Sequence, residues 1–307
     1  MGAYVGGRLQ AGGHDVVFIA RGKNLQALRT AGLSIKSAQG DLHLPRVAAT
    51  DDPASVGPVD AVVLGVKLYD LERAALALRP LLGPETMVVP VQNGVDAADR
   101  LLAVLGPAPV VKGSVYVVSF LREAGQVEHR SPFCRLVFAE CDNRPSQRTS
   151  AFASALNASG IEASVSTDID TDLWRKFMLL APFAAVACLS RASVGQILAH
   201  PVTRSLLGDA AAEVAAVAKA RGIALPQDIV QQSMDAIGKF PPASRPSMQV
   251  DIDAGRPLEL DSLSGAVVRL GHALGVPTPI HDVAYRALSR YLNGTPAAAT
   301  QPGTPAT

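Results

Sequence analysis

Apolar and polar residues in the first half of the chain follow a rhythm of strands and helices. Residues 59–64 and 86–91 are almost continuous apolar runs, and the segment between them, 70–82, has helical spacing with an acidic start. Residues 95–105 supply the next helical pattern. Strands that lack polar alternation are buried on both faces, as in a parallel sheet flanked by helices. This half of the chain is therefore predicted to be α/β.

Shorter elements surround these runs. The chain begins with a helical pattern rich in small residues, which a Gly-Gly pair ends before an apolar strand at 16–20. Short alternating pieces, typical of half-buried strands, follow at 33–35 and 42–44. Further strands are predicted at 110–111, 116–120 and 136–138.

Strand patterns stop at about residue 168, and helices take their place. The α/β domain is therefore predicted over 1–167 and an all-α domain over 168–293. The last residues, 294–307, are rich in Pro, Thr and Ala and are expected to form a disordered tail. Apolar residues at three- and four-residue spacing, separated by Pro and Gly, predict helices at 168–189, 202–221, 228–237, 260–274 and 281–292.

Composition narrows the range of functions. Lys and Arg number 28 against 27 Asp and Glu, a balance that argues against a nucleic-acid binder and favours small-molecule chemistry. Three cysteines and six scattered histidines form neither a disulfide pattern nor a metal-binding motif. The most apolar run, 177–189, is shorter than the roughly 20 residues of a membrane span and indicates a buried core helix. No secretory signal pattern begins the chain, so a cytoplasmic protein is expected.

The small residues of the first helix suit a phosphate site, because helix N-termini carry unpaired N–H groups. Gly2 could be the final glycine of a G-x-G-x-x-G motif, and Arg21 closes the following strand, where an arginine suits the 2′-phosphate of a dinucleotide. Helix–sheet packing by small residues and an exposed surface arginine are the alternative interpretations. Since no strand precedes this helix, the first strand and the start of the glycine-rich loop are expected to be missing. Either the start codon is assigned to an internal methionine or the protein has lost its central strand, and the first is favoured because losing a buried strand would leave its neighbours' backbone groups without partners.

Two loops follow the predicted buried strands. They are Gly65-Val66-Lys67 and Pro90-Val91-Gln92-Asn93-Gly94. Open α/β sheets bind their ligands at the carboxyl ends of parallel strands, so Lys67 and Asn93 are candidate ligand contacts. A solvated lysine and an Asn-Gly turn are the alternatives.

Several motifs together resemble the ketopantoate reductase family. They are GHDVVFIARG, the pair VK, the triplet QNG, LWRKF around Lys176, and SMQVDIDAGRPLELDSLSGAVVRLGHALGVPTP near the end of the chain. The resemblance extends over nearly the whole chain up to the tail. It implies an NADPH-binding Rossmann-type domain followed by an all-α domain like the C-terminal domain of 6-phosphogluconate dehydrogenase. It also implies reduction of a small 2-keto acid, 2-dehydropantoate, to pantoate, and allows a homodimer.

The resemblance further implies roles for individual residues. Lys176 would be the catalytic lysine, Glu259 would hold its ammonium group, and Ser247 would contact the substrate. Hydride addition to a 2-keto acid builds negative charge on the carbonyl oxygen, which a lysine of suitable pKa can stabilise and protonate. The implied NADPH contacts are Gly2, Arg21, Lys67 and Asn93.

Two positions depart from the family pattern. Many members carry asparagines four and eight residues after the catalytic lysine, where this chain has Leu180 and Ala184. These apolar side chains cannot hydrogen-bond a hydroxylated keto acid. A related reductase of another 2-oxo acid and a non-catalytic nucleotide-binding descendant are therefore alternatives to 2-dehydropantoate reduction.

Overall fold

A computed structural model describes residues 1–295 and divides the chain into two compact units, Met1–Leu173 and Trp174–Thr307. The strands of the described chain lie in the first unit, and the second unit is helical. The prediction of an α/β half followed by an all-α half is thus confirmed. The predicted tail lies outside the described residues from position 296 onward.

The first unit alternates strands and helices. Its helices are α1 (Gly2–Ala11), α2 (Gly22–Ala31), α3 (Leu71–Ala77), α4 (Ala97–Leu105) and α5 (Gln147–Ala158). Its strands are β1 (Val17–Ile19), β2 (Leu33–Ser37), β3 (Leu42–Leu44), β4 (Ala48–Thr50), β5 (Val59–Leu64), β6 (Leu82–Pro90), β7 (Val111–Tyr116), β8 (Ser119–Glu123), β9 (Gln126–His129), β10 (Arg135–Glu140) and β11 (Glu162–Val165).

Strand β6 is buried on both faces. It runs parallel to β5. Met87 and Val89 belong to one apolar cluster, together with residues of α1 and α5. Val88, which points to the opposite face, belongs to a second cluster with residues of α3 and α4. The apolar run at 86–91 therefore forms most of a strand that lies between two helical layers, as its lack of polar alternation predicted.

Small residues let α1 pack closely on the sheets. A Cβ atom at Gly6 would lie 2.8 Å from the ring of Phe18, and one at Gly7 would lie 2.6 Å from Ile35 and 2.9 Å from Leu33. Such distances are too short for carbon atoms in contact. Helix–sheet packing is thus one reason for the small residues of α1.

The strands of the first unit are not all parallel. They form the parallel pairs β1–β4 and β5–β6, the set β7-β10-β11 and the set β3-β2-β9-β8. Pairing is antiparallel between β2 and β3, between β8 and β9 and between β7 and β10. The predicted parallel arrangement therefore covers only part of the strands. Strands β2 and β3, and β8 and β9, follow each other after short turns and pair as hairpins.

The prediction of one helix over 70–82 was wrong in its second half. Helix α3 ends at Ala77, a 3-10 turn follows at Arg79–Leu81, and β6 begins at Leu82. Pro80 has no N–H group to continue the helical hydrogen bonds, whereas it is tolerated at the start of a new turn. Helices α2 and α5 were not predicted.

The second unit is built from helices, the first of which, α6 (Ile169–Ser190), begins in the first unit and shares an apolar cluster with the helices that follow it. By length and composition α6 could cross a membrane, but 72% of its most apolar window is buried in the protein. The prediction of a buried core helix is confirmed. The other helices are α7 (Val194–Ala199), α8 (Pro201–Ala220), α9 (Ile229–Gly238), α10 (Ser247–Asp253), α11 (Ser264–Leu274) and α12 (Pro279–Leu288), of which α7 and α10 were not predicted.

A buried polar cluster joins α8 to α12. The carboxylate of Glu213 accepts hydrogen bonds from the N–H groups of Ile280 (2.8 Å) and His281 (3.0 Å) at the start of α12. The Nε2 atom of His281 lies 3.2 Å from the carbonyl oxygen of Ala210, and its Nδ1 atom lies 3.2 Å from the hydroxyl of Ser264. Because a carbonyl can only accept, Nε2 carries the proton and Nδ1 accepts from the hydroxyl. Burial lowers the pKa of His281 to about 4, so this neutral form is the stable one.

Acid is expected to destabilise the second unit through His281. An unfolded histidine has a pKa of about 6.5. Between about pH 6.5 and about pH 4 the unfolded chain therefore binds more protons than the folded chain, so the free energy of unfolding decreases as the pH is lowered. The full contribution of this group is roughly 3 kcal/mol. His281→Gln should remove this part of the pH dependence, measured as the difference in the free energy of urea unfolding between neutral and acid pH.

His14→Gln is the matched control, because His14 is exposed. This variant should keep the acid dependence of the wild type. If His281→Gln kept the pH dependence of the wild type, His281 would not be a source of the loss of stability in acid.

Candidate active site

The start of α1 lies against the loop that follows β5. A Cβ atom at Gly65 would be 2.7 Å from the backbone nitrogen of Gly2 and 3.0 Å from its Cα atom, so only glycine permits this approach. The first N–H groups of a helix lack partners within the helix and carry partial positive charge. The approach therefore brings an anion-binding group to the carboxyl end of a parallel strand.

The two predicted loops meet at this edge of the sheet. Leu64 and Pro90 are opposite each other at the ends of β5 and β6, and the N–H group of Val91 donates to the carbonyl of Leu64 at 3.3 Å. Lys67 and Asn93 each follow within three residues of these strand ends. Both predicted contacts thus belong to neighbouring loops.

The positive charge of Lys67 acts electrostatically on the start of α1. Burial lowers the pKa of the Met1 amino group, and the charge of Lys67 lowers it further, against an opposing effect of Cys134. A cation and the N-terminus of a helix therefore act on the same region. Both favour a bound anion.

Arg21 lies at the turn between β1 and α2. It is exposed, and its side chain has no hydrogen bond or ion pair with any residue of the described chain, 1–295. Helix α2, which Arg21 precedes, has no side-chain cap at its N-terminus. A guanidinium group next to unpaired helix N–H groups is a suitable environment for a phosphate.

In the second unit, the structure brings Lys176 and Glu259 together. Part of the Lys176 side chain reaches solvent, but the protein around its ammonium group excludes water and lowers the pKa of Lys176 to about 8, while the negative charge of Glu259 acts to raise it. The rings of Trp174 and Phe177, on either side of Lys176 in the sequence, meet edge to face at 5.5 Å and are buried. The lysine can therefore exchange its proton near neutral pH.

The residues that follow Lys176 on α6 are apolar. Leu180 and Ala184 come one and two helical turns later, on the same side of the helix. Leu180 is half-buried, and Ala184 is buried. Leu180 and Ala184 therefore offer apolar contacts and no hydrogen bonds from their side chains.

The predicted substrate contact, Ser247, is exposed at the first position of α10.

The charged groups of the two units suit different tasks. In the first unit, Lys67, Arg21 and the start of α1 offer positive charge or unpaired N–H groups, which suit anionic groups. In the second unit, the lysine–glutamate pair suits proton transfer. Within residues 1–295, His, Cys, Asp and Glu side chains form no group of three or more that could hold a metal ion.

Two family models match the chain. Residues 1–143 match the model described as "Ketopantoate reductase PanE/ApbA", and residues 168–292 match "Ketopantoate reductase PanE/ApbA C terminal". The chain belongs to the ketopantoate reductase family. The family predicted from the motifs is thus confirmed.

Ketopantoate reductases of known structure share this fold over nearly their whole length. One from Ralstonia eutropha is 30% identical, with a TM-score of 0.85 and 94% of each chain covered. A 2-dehydropantoate 2-reductase from Geobacter metallireducens is 28% identical, with a TM-score of 0.87, over 94% of this chain and 95% of that one. An uncharacterized oxidoreductase of Bacillus subtilis, YkpB, is 26% identical over 292 residues, 95% of both chains. The ketopantoate reductase family is one of oxidoreductases.

Sequence reasoning missed one residue of the sheet edge, Gln92. Its Nε2 atom donates hydrogen bonds to the carbonyl oxygens of Leu64 at 2.7 Å and Val66 at 3.0 Å, and the side chain is buried. The signal in the sequence was a long polar side chain directly after an apolar strand. Its neighbour Asn93 was predicted instead as the ligand contact of this loop.

Gly65→Ala should destabilise the first unit by about 1–3 kcal/mol, because the added methyl group would meet the backbone of α1 and no flexible side chain could move aside. Gly208→Ala is the matched control, since a Cβ atom at Gly208, in α8, has nothing within 4 Å. Urea unfolding measures both. Equal stability of the two variants would show that α1 can shift without cost.

Proposed function

We propose that this member of the ketopantoate reductase family catalyses the NADPH-dependent reduction of 2-dehydropantoate to (R)-pantoate. The observation that carries the proposal is the pair of Lys176 and Glu259, in which burial lowers the pKa of the lysine to about 8. A general acid is most effective when its pKa lies near the working pH. The similarity to 2-dehydropantoate 2-reductases supports the choice of substrate.

In the proposed reaction, the carbonyl carbon of the oxo acid gains a hydride and the carbonyl oxygen gains a proton. Bound NADPH would supply the hydride. Lys176 would donate the proton from Nζ, and its positive charge would stabilise the oxygen as negative charge develops there. Glu259 would favour the charged form of the lysine before each turnover, and Ser247 would bind the substrate. The lysine would then regain its proton from water.

The first unit would bind the dinucleotide. The start of α1 at Gly2 would contact the pyrophosphate through backbone N–H groups, and Lys67 and Asn93 would contact the cofactor from the neighbouring loops. Arg21 would form a two-pronged, charge-assisted contact with the 2′-phosphate, which NADH lacks. This contact is the basis for proposing NADPH as the cofactor.

A second candidate is the reduction of another 2-oxo acid. Leu180 and Ala184 favour it, because neither side chain can hydrogen-bond the 4-hydroxyl group of 2-dehydropantoate. A site without such a partner discriminates weakly against an analogue that lacks the hydroxyl. Steady-state kinetics with 2-dehydropantoate and 3,3-dimethyl-2-oxobutanoate separates the candidates: a large preference for 2-dehydropantoate supports the first, and similar kcat/KM values support the second.

If Lys176 is the proton donor, kcat for reduction should fall as pH rises above about 8, where the ammonium group loses its proton. Glu259→Gln removes a charge that raises the pKa of Lys176, so the fall should begin at lower pH. Lys176→Met should lower kcat by roughly two to four powers of ten and leave NADPH binding intact. The measurements are pH profiles of kcat and fluorescence titration with NADPH.

The control is Lys219→Met, since Lys219 is an exposed lysine of α8. It should keep the pH profile of the wild type. An active Lys176→Met enzyme would exclude the mechanism. Wild-type protein that binds NADPH and reduces neither oxo acid would favour the non-catalytic descendant.

Arg21→Asp should weaken NADPH binding far more than NADH binding, because an attractive contact with the 2′-phosphate becomes a repulsion. The measurement is kcat/KM for each cofactor. Arg122→Asp provides a comparison at another exposed arginine of the first unit, and it should leave the ratio of the two values unchanged. An equal loss for both cofactors in Arg21→Asp would make Arg21 an ordinary surface residue.

A further inference from the structure

Gln92 joins two loops with one side chain. Its amide nitrogen carries two hydrogen atoms, and Nε2 donates to two carbonyl oxygens, those of Leu64 at 2.7 Å and Val66 at 3.0 Å. Both carbonyls belong to the end of β5 and the loop after it, whereas Gln92 follows β6. The side chain is 5% exposed. Both N–H groups of the amide therefore donate hydrogen bonds from the loop after β6 to the end of β5 and the loop that follows it.

The orientation of this amide is determined by its partners. If the oxygen and nitrogen of Gln92 were exchanged, Oε1 would face two carbonyl oxygens, and acceptors repel one another. In the observed orientation Oε1 is buried and has no hydrogen-bond partner among the described residues. An unpaired buried acceptor is costly and uncommon in native proteins. The two bonds from Nε2 must therefore outweigh the bond that Oε1 lacks.

The two loops are the ones that carry the candidate nucleotide contacts. Val66 directly precedes Lys67, and Gln92 directly precedes Asn93. We propose that Gln92 is a positioning residue, which fixes the loop of Lys67 relative to the loop of Asn93 and thereby sets the geometry of nucleotide binding. This inference rests on the proposed function in one respect, that these loops bind NADPH.

Related side chains cannot replace glutamine here. Methionine has about the same length but no donor, and ionised glutamate would present acceptors to the carbonyls of Leu64 and Val66. A protonated glutamate can donate one hydrogen bond. The variants Gln92→Met and Gln92→Glu therefore separate the length of the side chain from its hydrogen bonds.

The test is fluorescence titration with NADPH. Gln92→Met should raise the Kd about tenfold through the loss of the two hydrogen bonds, by the same factor at every pH relative to the wild type. Gln92→Glu should bind worst at about pH 8 and recover toward about pH 5, because its carboxyl group gains a proton that it can donate. A defect of Gln92→Glu that does not change with pH would overturn the proposed orientation.

Gln10→Met is the matched control. The Nε2 atom of Gln10 donates to the carbonyl of Arg46 at 3.0 Å, and its Oε1 atom is also buried without a partner among the described residues. This variant loses a comparable bond in the same unit but away from the loops. Its Kd for NADPH should equal that of the wild type. If Kd rose by a similar factor in Gln10→Met and Gln92→Met, Gln92 would affect binding only through the stability of the first unit, and the positioning role would be wrong.

Hydrogen exchange of the ligand-free protein tests the link between the loops without NADPH. The N–H group of Val91, which donates to the carbonyl of Leu64, should exchange faster in Gln92→Met than in Gln10→Met. Wild-type protein that binds no NADPH would overturn the proposed function, and hydrogen exchange would still test the link. Wild-type affinity in Gln92→Met and Gln92→Glu would overturn the positioning role alone.

Discussion

Burial of β6 on both faces is the constraint on which the first unit depends. Because Met87 and Val88 point into different apolar clusters, β6 needs a helical layer on each side and has a parallel partner in β5. Parallel strands end at the same edge, so the polar residues that follow them are brought together. The position of Lys67 and Asn93 is therefore a consequence of how the core is formed.

In the second unit, the burial of α6 has two effects. Its C-terminal half contributes Phe183, Val186 and Ala187 to an apolar cluster, and burial at Lys176 lowers the pKa of that lysine. Lys112, by contrast, forms a structural ion pair. Its Nζ atom lies 2.7 Å from both carboxylate oxygens of Asp170, in the first turn of α6. A close ion pair of that kind fixes structure, whereas partial desolvation prepares a group for proton transfer.

The sequence alone was sufficient for the features that depend on local pattern. The apolar run of β6, the long helix α6 and the change from strands to helices were all predicted from periodicity. The break at Pro80 was missed because the apolar spacing continues across it. The pairing of Lys176 with Glu259 was expected only from the family resemblance, since residues far apart in the chain contact each other through the fold. The hydrogen bonds of Gln92 depend on the register of β5 and β6, which no local pattern specifies.

The cap of α12 has a consequence for the order in which the protein is made. Glu213 accepts hydrogen bonds from backbone groups that lie as many as 68 positions later in the chain. Ribosomes synthesise a chain from its N-terminus, so α8 emerges before the helix that it caps. When α12 leaves the ribosome, its first N–H groups therefore meet an acceptor that already exists. The cap can therefore form only after residues 280 and 281 have been made, when almost all of the described chain has been synthesised.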